Sequence, residues 1–198
     1  DLLAQQLPHD GFFVVCGEAE TPLRIAHGSN ATVITYGLSH SVDSKASHIE
    51  FLKDGCKFRW HFNNTHRVSM KLLGNHNVLN AIACLTLLQT RGFDIEKAID
   101  ALSQFQGIKR RQEIFSQVSG ITFIDDFAHH PTAVRETLSA MRAKYPSSRI
   151  IACFEPRSAT SRMQVFQQAY AEAFDSADLI YIAKPYVPAN NGAIPSNE

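Results

Sequence analysis

Hydrophobic period along the chain changes at two places, and the changes mark its parts. Two short apolar runs, GFFVVC (11–16) and ATVITYG (31–37), are rich in β-branched and aromatic residues and bounded by Gly, Pro and Asn. That is the pattern of buried strands. In SHIEFLKDGCKFRWHF (47–62) polar and apolar residues alternate, which puts Phe58, Trp60 and Phe62 on one face, and Asp54-Gly55 predicts the turn of a hairpin. HRVSMKLLG (66–74) adds a further strand.

From Asn75 the period becomes helical. In NHNVLNAIACLTLLQTRG (75–92), Val78, Ile82 and Leu85, and again Ala81, Leu85 and Leu88, recur at the spacing of one helix face, with a stop at Gly92. DIEKAIDALSQF (94–105) is a second helix with Asp94 as its N-cap. GIKRRQE (107–113) is a polar, basic connector, and a domain boundary is expected there, dividing 1–108 from 109–198. Beyond it EIFSQV and ITFID read as strands, PTAVRETLSAMRAKY as a helix, RIIACF as a strand, about 161–175 as a helix and LIYIA as a strand. In the first of these helices Val134, Leu138, Met141 and Tyr145 form one apolar stripe, leaving Arg135, Glu136 and Arg142 to water. Strands alternating with helices predict an α/β fold with a parallel sheet, and the Pro/Asn/Gly-rich tail from Lys184 predicts loop.

Composition narrows the field mainly by exclusion. Lys+Arg and Asp+Glu both number 19 in 198 residues, so no basic excess draws nucleic acid. No apolar stretch reaches the ~20 residues of a membrane span, so no membrane partner is expected. Cys16, Cys56, Cys84 and Cys153 show no C-x-x-C spacing. Cys84 and Cys153 lie inside apolar runs, so they are expected to be structural thiols of a reducing, cytoplasmic compartment. The chain begins at Asp1, without methionine, and is expected to be part of a longer polypeptide.

Chemistry concentrates at strand ends. IDDFAHHP (124–131) places Asp125, Asp126, His129 and His130 in the loop that leaves a strand, and Pro131 suits the first position of a helix. A helix cap needs one polar residue, whereas four stand here. The same four could instead ligate Mn, Fe or Zn in a phosphohydrolase. GNHNVLNA (74–81) spaces Asn77 and Asn80 on one face of a first helical turn; they either cap the helix or present amides able to match an adenine edge. Lys109, Arg110 and Arg111 form either a solvated charge run or a phosphate-binding cation. FEPRSATSR (154–162) adds Glu155, Arg157, Ser158, Thr160 and Arg162 after another apolar strand.

Taken in order, GNHNVLNA, GIKRRQE, DDFAHHP and FEPRSATSR resemble the Mur ligase family, the ATP-dependent amide-forming enzymes of peptidoglycan synthesis. The resemblance implies an α/β chain made of the C-terminal half of a central ATPase domain, 1–108, and an incomplete Rossmann-like C-terminal domain, 109–198, with the remaining N-terminal domains of the same polypeptide as its partners. It implies that Asn77 and Asn80 hold the adenine of ATP, that Arg111 reaches the phosphates and that Asp126 bonds the ribose. His129 and Arg111 are the catalytic residues it implies, and Arg157, His130, Ser158 and Arg162 the ones that meet the incoming substrate. Mg²⁺ offsets phosphate charge, no residue of this chain being assigned to metal. Within the family, members that add L-alanine typically carry Phe-Gln-Pro-His-Arg-Tyr where this chain has FEPRSATSR. That difference favours the recycling branch, which joins the murein tripeptide L-alanyl-γ-D-glutamyl-meso-diaminopimelate to UDP-N-acetylmuramate.

The chain contains no G-x-x-x-x-G-K-[ST] sequence, the loop whose backbone N–H groups cradle phosphates. The 198-residue chain by itself is therefore expected to release no phosphate from ATP and to form no amide. ATP-dependent amide formation by this chain alone, measured by product chromatography, would contradict that expectation.

Overall fold

The computed structural model describes residues 2–158, 161 and 163–184. Two compact units divide the chain, 1–108 and 109–198.

In the first unit, α1 (Leu2–Gln5), β1 (Phe12–Cys16), α2 (Glu20–Ala26), β2 (Thr32–Gly37), β3 (Ser44–Leu52), β4 (Gly55–Phe62) and β5 (Asn64–Met70) precede α3 (Asn75–Thr90) and α4 (Ile95–Gln104). One five-stranded sheet runs in the order β1-β2-β3-β4-β5. Its first three strands are parallel and its last three antiparallel. Helix α2 supplies the crossover that a parallel β1–β2 pair requires. At the β3–β4 hairpin Leu52 pairs with Gly55, so Lys53-Asp54 makes the turn, one residue before the Asp54-Gly55 pair expected from the sequence. Gly55 serves a different purpose: at φ 143°, a Cβ here would lie 2.2 Å from the Met70 carbonyl oxygen, so glycine lets β5 approach.

The core forms where the sheet meets α3. Phe58, Trp60, Val68 and Met70 from β4 and β5 pack with Val78, Ala81, Ile82 and Leu85, which share one helix face at i, i+3, i+4 and i+7. Cys84 stands off that face and is exposed, as is Cys153 in the second unit, which corrects the expectation of buried thiols at both positions. All four cysteines are free, and only Cys56 is buried, where loss of hydration pushes its thiol up to about 11. Within this apolar core runs a polar thread. Trp60 Nε1 donates to Ser44 Oγ at 2.8 Å, Ser44 and Thr86 hydroxyls meet at 2.6 Å, and Thr86 Oγ1 donates to the Ile82 carbonyl at 2.6 Å. A carbonyl can only accept, so Thr86 spends its single proton there and must accept from Ser44. Every hydrogen in the thread is thereby assigned, and β3, β4 and α3 are joined at residues with no exposed surface. Helix α4 begins on Asp94, whose side chain accepts from Lys97 N at 3.2 Å; that backbone N–H holds its carboxyl below the ordinary value.

The second unit holds β6 (Glu113–Val118), β7 (Ile121–Asp125), α5 (Pro131–Lys144), β8 (Ile151–Phe154), a 3₁₀ turn Gln164–Phe166, α6 (Gln167–Ala173) and β9 (Leu179–Ile182). Here the single parallel sheet expected from the sequence is corrected. Among the described residues of this unit only β8 and β9 pair in parallel; β6 and β7 form a separate antiparallel hairpin. The cause is the Ser119-Gly120 turn, with φ 51° and 77°, because two left-handed central residues suit the twist of a two-residue hairpin. Val134 and Leu138 of α5 pack with Ala152, Ala173 and Phe174. Arg142, expected to face water, instead donates to the Ser148 and Ser176 carbonyls and to Asp178 Oδ2, the last at 2.6 Å. The Ile150 N–H first, and Arg142 second, hold the Asp178 carboxyl below its ordinary value. This contribution to folding is therefore present at neutral pH and fades on acidification through the lowered value. The tail from 185 onward, expected to be loop, lies outside the described residues.

Ser44→Ala should leave the buried Trp60 N–H without its acceptor and cost about 1–3 kcal/mol. Denaturant unfolding followed by the fluorescence of Trp60, the single tryptophan, measures it. An unchanged midpoint would show that the thread carries no stability.

Candidate functional site

The loop after β7 is built around the Asp126 carboxylate. Its Oδ1 accepts from Ala128 N at 2.7 Å and from Thr137 Oγ1 at 3.3 Å, and its Oδ2 accepts from Gln112 N at 2.9 Å. One side chain thus ties together the connector, the loop and helix α5. A carboxylate has about four lone-pair positions. With three filled, Oδ2 keeps capacity for one further donor. Asp125 has a different task, pairing with Arg110 Nε at 3.3 Å. Neither Asp126 nor His130 caps α5 through its side chain: His130 is at the N-cap position and only its carbonyl takes part, accepting from Val134 N at 3.0 Å.

His129 Nδ1 lies 3.0 Å from the Phe127 carbonyl oxygen. Since that oxygen can only accept, Nδ1 carries the proton, and in the neutral ring Nε2 is left as a free acceptor. The His129 carbonyl in turn accepts from the Tyr170 hydroxyl of α6, whose pKa burial raises, so it stays a donor. The His130 ring meets the Phe166 ring edge-on at 5.3 Å.

The basic connector folds back onto this loop. Arg110 and Gln112 adopt left-handed φ of 60° and 53°, so strained backbone flanks Arg111 on both sides. Several bonds offset that strain: Arg110 N donates to Glu113 Oε2 at 2.8 Å, Phe127 N donates to the Arg110 carbonyl at 2.8 Å, and Gln112 N reaches Asp126. Both guanidinium groups lie over the Phe127 ring, at 5.2 Å for Arg110 and 5.4 Å for Arg111. Such contacts contribute about 0.5–1 kcal/mol each at exposed sites.

The remaining candidates lie on other elements. Asn77 and Asn80 lie in the first unit, at the start of α3, which opens on Gly74 at φ 95° without a side-chain cap. Asn77 Nδ2 donates to the Leu73 carbonyl at 2.8 Å, while Asn80 is exposed. In the loop after β8, Arg157 Nε donates to Glu155 Oε1 at 3.0 Å, and Ser158 Oγ accepts from Ser161 N at 3.0 Å. Arg162 lies outside the described residues. Asp125, Asp126, His129 and His130 do not converge as a metal-ligand set, and among the described residues no three His, Cys, Asp or Glu do so. The phosphohydrolase alternative thus loses its geometric basis.

Sequence reasoning missed Phe127, Thr137 and Tyr170. Phe127 had a usable signal, a large aromatic in a loop otherwise made of charged and small residues. Tyr170 had none, since it meets His129 from 41 residues away.

With this geometry in view, the sequence matches the Mur ligase middle domain over residues 1–88 and the Mur ligase glutamate ligase domain over 110–194. The chain belongs to the Mur ligase family, whose members are ATP-dependent ligases. A relative from Caldanaerobacter subterraneus subsp. tengcongensis, UDP-N-acetylmuramate–L-alanine ligase, is 35% identical over 92% of this chain and 40% of its own length. The crystal structure of a murein peptide ligase from Psychrobacter arcticus is 32% identical, with TM-score 0.66, over 91% of this chain and 38% of that one. The MurF ligase of Thermotoga maritima in complex with ADP shares the fold, with TM-score 0.72 at 16% identity over 88% of this chain and 40% of that one. The chain spans about 40% of the length of the curated relatives it matches.

Asp126→Ala should release three donors at once and speed hydrogen exchange at the Gln112 and Ala128 amides, whereas Asp126→Asn keeps one acceptor oxygen and should act more weakly. Amide exchange by NMR reads both. Unchanged exchange in the alanine variant would show that this carboxylate does not hold the loop.

Proposed function

We propose that the full-length protein condenses the lactyl carboxylate of UDP-N-acetylmuramate with the α-amine of an L-alanyl acceptor, at the expense of ATP. The observation that carries this reading is the match to both Mur ligase domains in one chain, with the strand-end loop from Asp125 to Pro131 lying inside the second match. In the reaction a carboxylate oxygen attacks the γ-phosphorus, ADP leaves, and an acyl phosphate forms. The amine then attacks the acyl carbon, phosphate departs with that oxygen, and the amine loses a proton.

Each assigned residue has a chemical reason for its role. Asn77 and Asn80 offer amides to the adenine edge: Asn77 keeps its oxygen and one N–H after bonding Leu73, and Asn80 offers its whole amide. Asp126 receives a ribose hydroxyl on the remaining lone pair of Oδ2. Arg111 offsets the charge that develops on the phosphates. His129 presents Nε2 as proton acceptor, with Nδ1 already committed to the Phe127 carbonyl. Mg²⁺, which the family resemblance implies, would supply charge neutralisation on phosphate, and no residue of this chain is assigned to it. No helix among the described residues is long and apolar enough to cross a membrane, and ATP as co-substrate suits a cytoplasmic location.

Two acceptors share the L-alanyl amine. The names of the curated relatives support free L-alanine as the better-backed reading. The murein tripeptide is favoured by one specific feature, the Glu155-Pro156-Arg157 loop. Among the described residues Arg157 bonds Glu155 through Nε alone, and the two terminal nitrogens of its fork are offered to an acceptor carboxylate.

Steady-state kinetics of the full-length enzyme, at saturating ATP and UDP-N-acetylmuramate, compares the two. Amide formation with an L-alanyl amine is the expected result, and use of neither acceptor would contradict the proposal. If the tripeptide is preferred, Arg157→Ala should raise its KM by about tenfold, one lost charge-assisted contact, and leave the ATP KM unchanged. A preference for free L-alanine, with Arg157→Ala silent, decides for the first acceptor.

A further inference from the structure

Phe127 has no ordinary reason to be where it is. It is 47% exposed and belongs to neither hydrophobic core cluster, so burial does not account for a phenylalanine in this loop. What surrounds its ring is polar. The Arg110 and Arg111 guanidinium groups lie over it at 5.2 and 5.4 Å, and the His129 imidazole meets it at 5.1 Å with the ring planes inclined by 69°. The negative π face of a benzene ring attracts guanidinium, and its positive edge geometry favours a steeply inclined aromatic neighbour. One ring therefore contacts the two side chains assigned to phosphate charge and to proton acceptance.

We infer that Phe127 is a positioning residue, whose ring holds the Arg111 guanidinium and the His129 imidazole in a fixed arrangement before substrate arrives. This rests on the reading of Arg111 and His129 as ligase residues given above. Two features make the arrangement specific. Arg110 is neutralised by Asp125 at 3.3 Å, whereas Arg111 has no carboxylate partner among the described residues and keeps its charge for an anion. The backbone also resists relaxation. Left-handed φ at Arg110 and Gln112 fixes the direction in which Arg111 leaves the chain, and Phe127 N is bonded to the Arg110 carbonyl at 2.8 Å, so ring and guanidinium share one anchor. On the other side, Tyr170 holds the His129 carbonyl while Nδ1 of the same residue holds the Phe127 carbonyl. Pre-set groups lose little freedom on binding, which is how a ring with no contact to substrate improves a site.

The test uses the full-length protein with Phe127→Leu, which keeps an apolar side chain and loses the π face, and Phe127→Tyr, which keeps the aromatic ring. In wild type and Phe127→Tyr, the Arg111 δ-methylene protons should show an upfield ring-current shift by NMR, and in Phe127→Leu that shift should vanish. Phe127→Leu should raise the ATP KM by about three- to fivefold, the loss of a surface cation–π contact, with the UDP-N-acetylmuramate KM unchanged and Phe127→Tyr close to wild type. Absence of the ring-current shift in the wild type, a measurement that needs no variant to fold, overturns the inference. So does Phe127→Leu with wild-type ATP kinetics when Arg111→Ala is impaired. If Arg111→Ala itself leaves the ATP KM unchanged while the ring-current shift is present, the assignment of Arg111 to phosphate fails and the stacking stands.

Discussion

The Asp126 carboxylate is the point at which three separately folded pieces meet: the connector 109–112, the loop after β7 and helix α5. Local sequence accounts for the helical form of α5, which opens on Pro131, but not for how the three pieces are held together. Gln112 is left-handed, the loop is too short and polar to make a core, and α5 begins without a side-chain cap. Each donates one hydrogen bond to the same two oxygens, and an ionised acceptor makes those bonds stronger than neutral ones. The placement of Arg111, Phe127 and His129 follows from this junction. The residue assigned to ribose is thus first an organiser of the loop, and only its remaining lone pair is available to a ligand.

The first unit solves a different problem, that of orienting a helix on a sheet. Apolar packing between α3 and the sheet draws the helix onto it but tolerates some rotation of the helix. The thread from Trp60 through Ser44 and Thr86 to the Ile82 carbonyl removes that freedom, because a buried polar group displaced from its partner costs more than a shifted methyl. Fixing the rotation of α3 also fixes the first turn, where Asn77 and Asn80 stand. Stability and the placement of these two asparagines share one device.

Features that depend on near neighbours were legible in the sequence. The 78, 81, 82, 85 spacing specified α3, alternation at 58, 60 and 62 specified β4, and Asp94 capped α4. Features set by backbone conformation or by distant partners were not. The Ser119-Gly120 turn converts two expected members of a parallel sheet into a hairpin, and the Gly55 constraint comes from β5 rather than from its own turn. Arg142 looked like a solvent-facing helix residue until Asp178, 36 positions away, supplied a partner. In the candidate site, residue type and placement at a strand end pointed to Asp126 and His129 as proposals. The donors around Asp126, the tautomer of His129 and the ring beneath Arg111 required three dimensions.

The central claim is that this chain belongs to an enzyme that activates a carboxylate with ATP rather than one that delivers a phosphoryl group to water. Isotope tracing addresses it directly. Full-length protein would be supplied with ATP, an L-alanyl acceptor and UDP-N-acetylmuramate carrying ¹⁸O at both oxygens of its lactyl carboxylate, and the released phosphate examined by mass spectrometry. Transfer of one ¹⁸O atom into phosphate for each amide formed is the predicted result, since the carboxylate oxygen leaves with phosphorus. Phosphate free of label, with its new oxygen drawn from solvent, would contradict the account.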